Sequence, residues 1–266
     1  MSKRVSKAFG VLFLLMELAV VPKAIDLMLN QHLSDMSPLR IVALSMTFGS
    51  IALCILMSYS SMSEHDGYPL NTFLFELMVF LCCIAPMTDL STNVLDLAGR
   101  PGLNMLVNTV YYLVGINLAY AILRYEYLII GADERPKLRK IRKLASCLMV
   151  LDNLATLLNI RFGYFFIINE SGAYQSAPTF WLSYIAPALI VAATAVTAAK
   201  EMRPGRQKKA FLFFWLFALL ATALQILVDG LTVQYTGYTL SLIVLYLNIQ
   251  SELDTSCVKI SVWEDS

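Results

Sequence analysis

The sequence predicts an all-α fold, a polytopic membrane helix bundle of seven transmembrane helices preceded by an extra N-terminal hydrophobic helix. Three observations predict it. Hydrophobic residues fill 58% of the 266 positions. They gather into runs of about twenty, the length a helix needs to cross a hydrocarbon layer roughly 30 Å thick. Runs such as 40–61 and 208–228 are apolar on every side instead of in the single stripe of a soluble helix.

In chain order, Lys3, Arg4 and Lys7 precede an apolar run from Val11 to Val21, the layout of a secretory signal, but Glu17 interrupts it and Lys23 and Asp26 follow. No small-x-small cleavage site is well placed, which favours an uncleaved signal anchor or an extra helix; a segment lying in the interface is the alternative. Seven spans follow at 40–61, 71–91, 103–129, 144–168, 177–199, 208–229 and 233–252. Breakers separate them: Gly67-Tyr68-Pro69 after the first, Gly99-Arg100-Pro101-Gly102 after the second, Arg135-Pro136 after the third and Arg203-Pro204-Gly205 after the fifth. Short connections make sequential helices antiparallel neighbours. The chain thus divides into an N-terminal segment at 1–35, a seven-helix domain at 36–253 and a short tail at 254–266.

Charge sets orientation. The 20 basic residues nearly balance the 19 acidic ones, so the net value implies no polyanionic partner, and no nucleic acid is expected. Their distribution is uneven. Arg135, Lys137, Arg139, Lys140, Arg142 and Lys143 crowd the loop before the fourth span, and Lys200, Arg203, Arg206, Lys208 and Lys209 the loop before the sixth. Lysine and arginine stay on the cytoplasmic side of short loops. Both basic loops and the C-terminus are therefore expected in the cytoplasm of a cell-membrane protein whose main partner is lipid.

Ionisable residues inside spans need partners or water. Glu76 on the second span and Arg124 on the third lie at similar depth near the inner end, which predicts an ion pair that either clamps the packing or reports helix movement. Toward the outer end stand Asp89, Arg161 and Asp229, with Asp152 and Asn153 nearer mid-membrane and Asn108, Asn117 and Gln225 adding neutral groups. Two readings stay open: these residues line an outer pocket for a small polar ligand, or they satisfy one another. The fifth span carries small-xxx-small spacings, Ala188 to Ala192 and Ala195 to Ala199, that let backbones approach within the bundle or in a homodimer. Pro86 and Pro187 are expected to kink the second and fifth spans.

No catalytic chemistry is spelled out. His32 and His65 fall outside the spans, the five cysteines are scattered, and no HExxH helix, G-x-S-x-G elbow or phosphate loop occurs. No enzyme activity, metal or cofactor is expected.

From the first span onward the chain resembles the seven-helix N-terminal sensor regions of bacterial membrane-bound diguanylate cyclases and histidine kinases. The carrying residues are Asn71 to Thr88 before Asp89, Asn108-Thr-Val-Tyr-Tyr-Leu, Arg124-Tyr-Glu-Tyr-Leu-Ile and the last span from Tyr238 to Gln250. In that family a similar last helix runs into a cytoplasmic output domain, whereas Ser251 to Ser266 hold neither a GG(D/E)EF-type loop nor a phospho-accepting histidine. The resemblance implies a receiver without its own enzyme, whether a shortened relic, a stand-alone input unit or a partner of separate cytoplasmic signalling proteins, that binds a small extracellular ligand and relays helix movement to the inner face. A small transporter and a non-catalytic scaffold are the alternatives.

Overall fold

The computed structural model describes residues 38–64, 69–98, 100–202, 204–227 and 233–248, together with Val11. The expected N-terminal helix, Asp229 and the tail at 254–266 lie outside the described residues. Within them the fold is mostly helical: α1 (Pro38–Glu64), α2 (Pro69–Ala98), α3 (Pro101–Ile130), α4 (Pro136–Phe162), α5 (Ile185–Glu201), α6 (Arg206–Leu227) and α7 (234–248). A two-stranded antiparallel hairpin, β1 (Phe166–Ile168) and β2 (Tyr174–Ser176), and a 3-10 turn (Phe180–Tyr184) separate α4 from α5.

Helix limits follow local chemistry. Pro101 and Pro136 open α3 and α4 within the first turn, where a missing N–H costs nothing. Gly131 (φ 66°) and Gly163 (φ 64°) close them in the left-handed conformation, their amides returning to Leu128 O and Asn159 O. Pro86 sits inside α2. Pro187 does not interrupt its helix, because it is the third residue of α5, where no intrahelical donor is lost.

The fourth span required the largest correction. Its helix starts at Pro136, eight residues before the apolar run, because the charged stretch Lys137–Lys143 consists of good helix formers. It stops at Phe162, and Phe166–Ile168 at the end of the same apolar run pairs as a strand with Tyr174–Ser176. Aromatic and β-branched residues beyond a helix-ending glycine favour the pleated conformation.

Helices α3, α4 and the stretch Phe180–Glu201 are each long and apolar enough to cross a membrane, and shorter apolar stretches occupy Ser45–Ser60 and Phe73–Thr88. The outward faces are greasy: Leu144, Leu151, Leu154, Leu157 and Leu158 on α4, and Leu212, Phe213, Leu216, Leu219 and Leu220 on α6, are all exposed. Polar groups instead lie inside, among them Asn104, Asn108, Thr156, Asn159, Thr194, Thr239 and Ser241. Several hydroxyls donate to the carbonyl one turn back, as in Ser50 to Met46, Thr194 to Ile190 and Ser241 to Gly237. Soluble proteins rarely expose contiguous apolar faces of this extent, and these suit a lipid surround.

Two helices organise the bundle. α3 packs against α2, α4 and α5. α7 runs parallel to α1, bonded at Ser50–Thr236 (3.1 Å), Cys54–Thr239 (3.8 Å) and Ser60–Tyr246 (2.5 Å). It is antiparallel to α6, where Ser241 Oγ donates to Phe214 O (2.8 Å) and Gly237 lies against Ala221 and Phe217. The main core, with Met78, Cys82, Phe214 and Leu242 all fully buried, lies where these helices meet.

The alanine spacings of the fifth span do not mediate this close packing. Ala188, Ala192 and Ala199 are exposed, and α5 buries Ala186, Ile190, Thr194, Thr197 and Ala198 instead.

Candidate functional site

One face of α3 carries Tyr111, Tyr112, Gly115 and Leu118, positions separated by about one helical turn. Against it stand the end of the 3-10 turn, with Ser183 and Tyr184, Pro187 in the first turn of α5, and the start of α7, with Gln234, Tyr235 and Tyr238; together they enclose a partly open cavity of about 60 Å³. Gly115 makes the room. A Cβ there would sit 3.6 Å from the Tyr235 hydroxyl, so any longer side chain would extend into the space.

The ring geometry is mixed. Tyr111 meets Tyr235 edge-on (5.6 Å, 79°) and Tyr112 nearly at a right angle (5.7 Å, 82°), while Tyr235 and Tyr238 are tilted by 41°. Tyr235 is buried, Tyr111, Tyr112 and Tyr238 are half-buried, and Tyr184 is exposed at the rim.

Tyr112 ties the cavity to the hairpin. Its ring stacks on Phe166 (5.1 Å, 9°), Phe166 stacks on Tyr174 (5.8 Å), and its hydroxyl lies 2.9 Å from that of Tyr174. The hairpin is itself pinned at two points. Fully buried Asn159 donates to Phe166 O (3.1 Å) and accepts from Phe165 N (2.6 Å), and Asn104 Nδ2 donates to Gly172 O (2.7 Å). Asn169, the first residue of a sequon, accepts from Ser171 Oγ and Ala173 N and so shapes the turn.

The two basic loops come together at the opposite end. Arg135 pairs with Glu201 (2.6 Å), and Lys208 Nζ donates to Ala199 O. Tyr127 and Thr197 hydroxyls approach at 3.4 Å one turn deeper.

Comparison with protein-family models, curated proteins and solved structures gives no match for this chain.

Arg161, Asp152 and Asn153, expected to contribute to an outer pocket, do not line this cavity. Arg161 is exposed in the last turn of α4, where a cation complements the helix dipole, and it joins no ion pair among the described residues. Asp89 falls within α2, with its side chain outside those described, and Asp229 lies outside them altogether. Asp152 is half-buried, and its neighbour Asn153 accepts a 2.9 Å bond from Asn117 Nδ2, joining α4 to α3. Glu76 is buried at the level of Arg124, since their neighbours Phe75 and Tyr125 meet at 6.4 Å, yet no ion pair joins the two among the described residues.

Two features were missed in the sequence. The tyrosine cavity draws on three separated segments, and no local spacing links 111–118 to 183–187 and 234–238. Glu126 is fully buried, and neither carboxyl oxygen has a hydrogen-bond partner among the described residues. Its neighbour Arg124 is the more conspicuous charge, and helical phase alone does not reveal that residue 126 points inward.

Proposed function

We propose that this chain is a receptor-like, non-enzymatic protein of the cell membrane that crosses it seven times, with its C-terminus in the cytoplasm. A small molecule entering the tyrosine cavity from outside shifts α7 against α1 and α6, and the inner end of α7 presents that shift to a cytoplasmic signalling protein. The observation carrying this reading is that the cavity is built from the 3-10 turn leading into α5, the start of α7 and the middle of α3, the helix contacting most of the bundle. A ligand there contacts the ends of helices whose other ends lie across the bundle.

The parallel course of α1 and α7 supports an odd number of crossings between the two ends of the domain. The convergence of both basic loops at the end opposite the cavity supports a cytoplasmic inner face. Below the cavity Ile122, Tyr125, Phe211 and Phe214 fill the core, which favours a receptor over a carrier needing a continuous path. The resemblance to bacterial sensor regions points the same way.

Thermal shift of the full chain in detergent, with panels of amino acids, nucleosides and small organic cations, tests the proposal. A saturable shift that is lost in Tyr235→Leu and kept in Arg161→Gln supports it. A shift that depends on Arg161 and ignores Tyr235 would return the site to the charged residues. A C-terminal reporter active outside the cell would remove the orientation.

A further inference from the structure

We infer that the cavity recognises a quaternary ammonium group, held on the faces of its tyrosine rings. The inference rests on the pocket reading above and narrows it to one ligand class.

The lining carries the argument. Five of the ten residues around the cavity are tyrosines, and none is Asp, Glu, Lys, Arg or His. An anion would meet no cationic side chain. A primary ammonium or guanidinium brings N–H donors that need acceptors on several sides, and the Tyr112 hydroxyl is already engaged with that of Tyr174. A quaternary ammonium has no N–H at all. Its charge is spread over methyl groups, it sheds water readily, and it is attracted to the negative faces of aromatic rings.

Ring orientation separates this class from flat aromatic ligands. A planar ring seeks parallel walls about two stacking distances apart. The cavity's own pairs instead cross at 79°, 82° and 41°. Walls at steep angles form a box suited to a rounded group. The near-parallel pair involving a lining residue, Tyr112 with Phe166 at 9°, is already closed by direct stacking on the hairpin. The exposed ring of Tyr184 marks the rim past which the remainder of the ligand extends.

The test uses the full chain in detergent or nanodiscs. Choline and tetramethylammonium are compared by calorimetric titration with 3,3-dimethyl-1-butanol, which replaces the ammonium nitrogen of choline by carbon and keeps its shape. Choline is expected to bind saturably, with the neutral isostere at least about tenfold weaker, as expected for a desolvated cation–ring contact. Tyr235→Phe, which keeps the ring, is expected to bind within about threefold of the parent, and Tyr184→Leu, at the exposed rim where folding is not at stake, to weaken choline by roughly fivefold or more. Equal binding of choline and its isostere, or preference for a planar compound such as indole, overturns the ammonium assignment and leaves a pocket of another specificity. Failure of every probe, quaternary, neutral, planar and amino acid alike, takes the receptor proposal down with it.

Discussion

Gly237 is where the bundle is least tolerant of added volume, and Gly237→Ala gives the sharpest test of the helix arrangement. A Cβ at this position would lie 2.3 Å from the Ala221 Cβ and 3.0 Å from the Phe217 carbonyl oxygen. Carbon atoms settle at about 3.5–4.0 Å, so α6 and α7 must separate by roughly 1.4 Å. That retreat stretches the Ser241 Oγ to Phe214 O bond from 2.8 Å to beyond hydrogen-bonding range. Overpacking costs about 1–3 kcal/mol and a lost buried hydrogen bond about 1 kcal/mol, giving a destabilisation of about 2–4 kcal/mol. Helix propensity runs the other way, since alanine is favoured over glycine by about 1 kcal/mol, and the net expectation is about 1–3 kcal/mol.

The assay is built into the chain. Cys54, Cys82 and Cys83 are fully buried, so a thiol-reactive fluorophore reports their exposure as the protein melts in detergent, on a background where exposed Cys147 and tail residue Cys257 are replaced by serine. Ala221→Gly removes the nearer of the two clashing atoms, so the double variant is expected to recover at least about 1 kcal/mol of the loss, a coupling typical of touching residues. Should Gly237→Ala melt at the parent temperature, or should Ala221→Gly give no rescue, the close α6–α7 crossing is wrong.

The remaining predictions concern the hairpin, the cavity and the buried carboxyl. Asn159→Leu removes both hydrogen bonds of the Asn159 anchor, leaving the hairpin held by Asn104 alone and the Phe165 amide unpaired, at an expected cost of about 2–4 kcal/mol, read by thermal melting and by new protease cleavage within 163–176. Gly115→Ala raises stability by about 1 kcal/mol through helix propensity, because the added Cβ meets Tyr235 at an ordinary 3.6 Å, while the smaller cavity weakens any occupant; a variant that is stabilised yet binds unchanged would argue against this cavity as the site. Glu126→Leu replaces a carboxyl that has no hydrogen-bond partner among the described residues by an apolar group of similar size, and melting is expected to show a gain of about 1–3 kcal/mol, whereas a loss would reveal a partner for that carboxyl.

Several elements were legible from the chain for direct physical reasons. Lipid-compatible helices need about twenty apolar residues, so α1, α3, α6 and α7 were readable to within a few residues over the stretches described, while α2 runs seven residues past its expected end to Ala98. Basic loops mark one face, and Arg135–Glu201 with Lys208–Ala199 gathers both of them at one end of the bundle. Where apolarity was the wrong signal, the reading slipped. Lys137–Lys143 is helical despite its charge, and Phe166–Ile168 is strand despite its grease, because capping at Pro136 and Gly163 sets these limits.

Composition and local spacing therefore determined that the chain folds as apolar helices, roughly where they begin and end, and which loops share a side. Only the tertiary structure decided which faces meet. It put Asn117 against Asn153, exposed Ala188, Ala192 and Ala199 of α5 while closing α6 on Gly237, and assembled a tyrosine-lined cavity from segments more than forty residues apart. The reason is rotational: hydropathy fixes a helix along its axis, but when every face is apolar it exerts little torque about that axis, and the choice of inward face falls to a few hydrogen bonds and close contacts between helices.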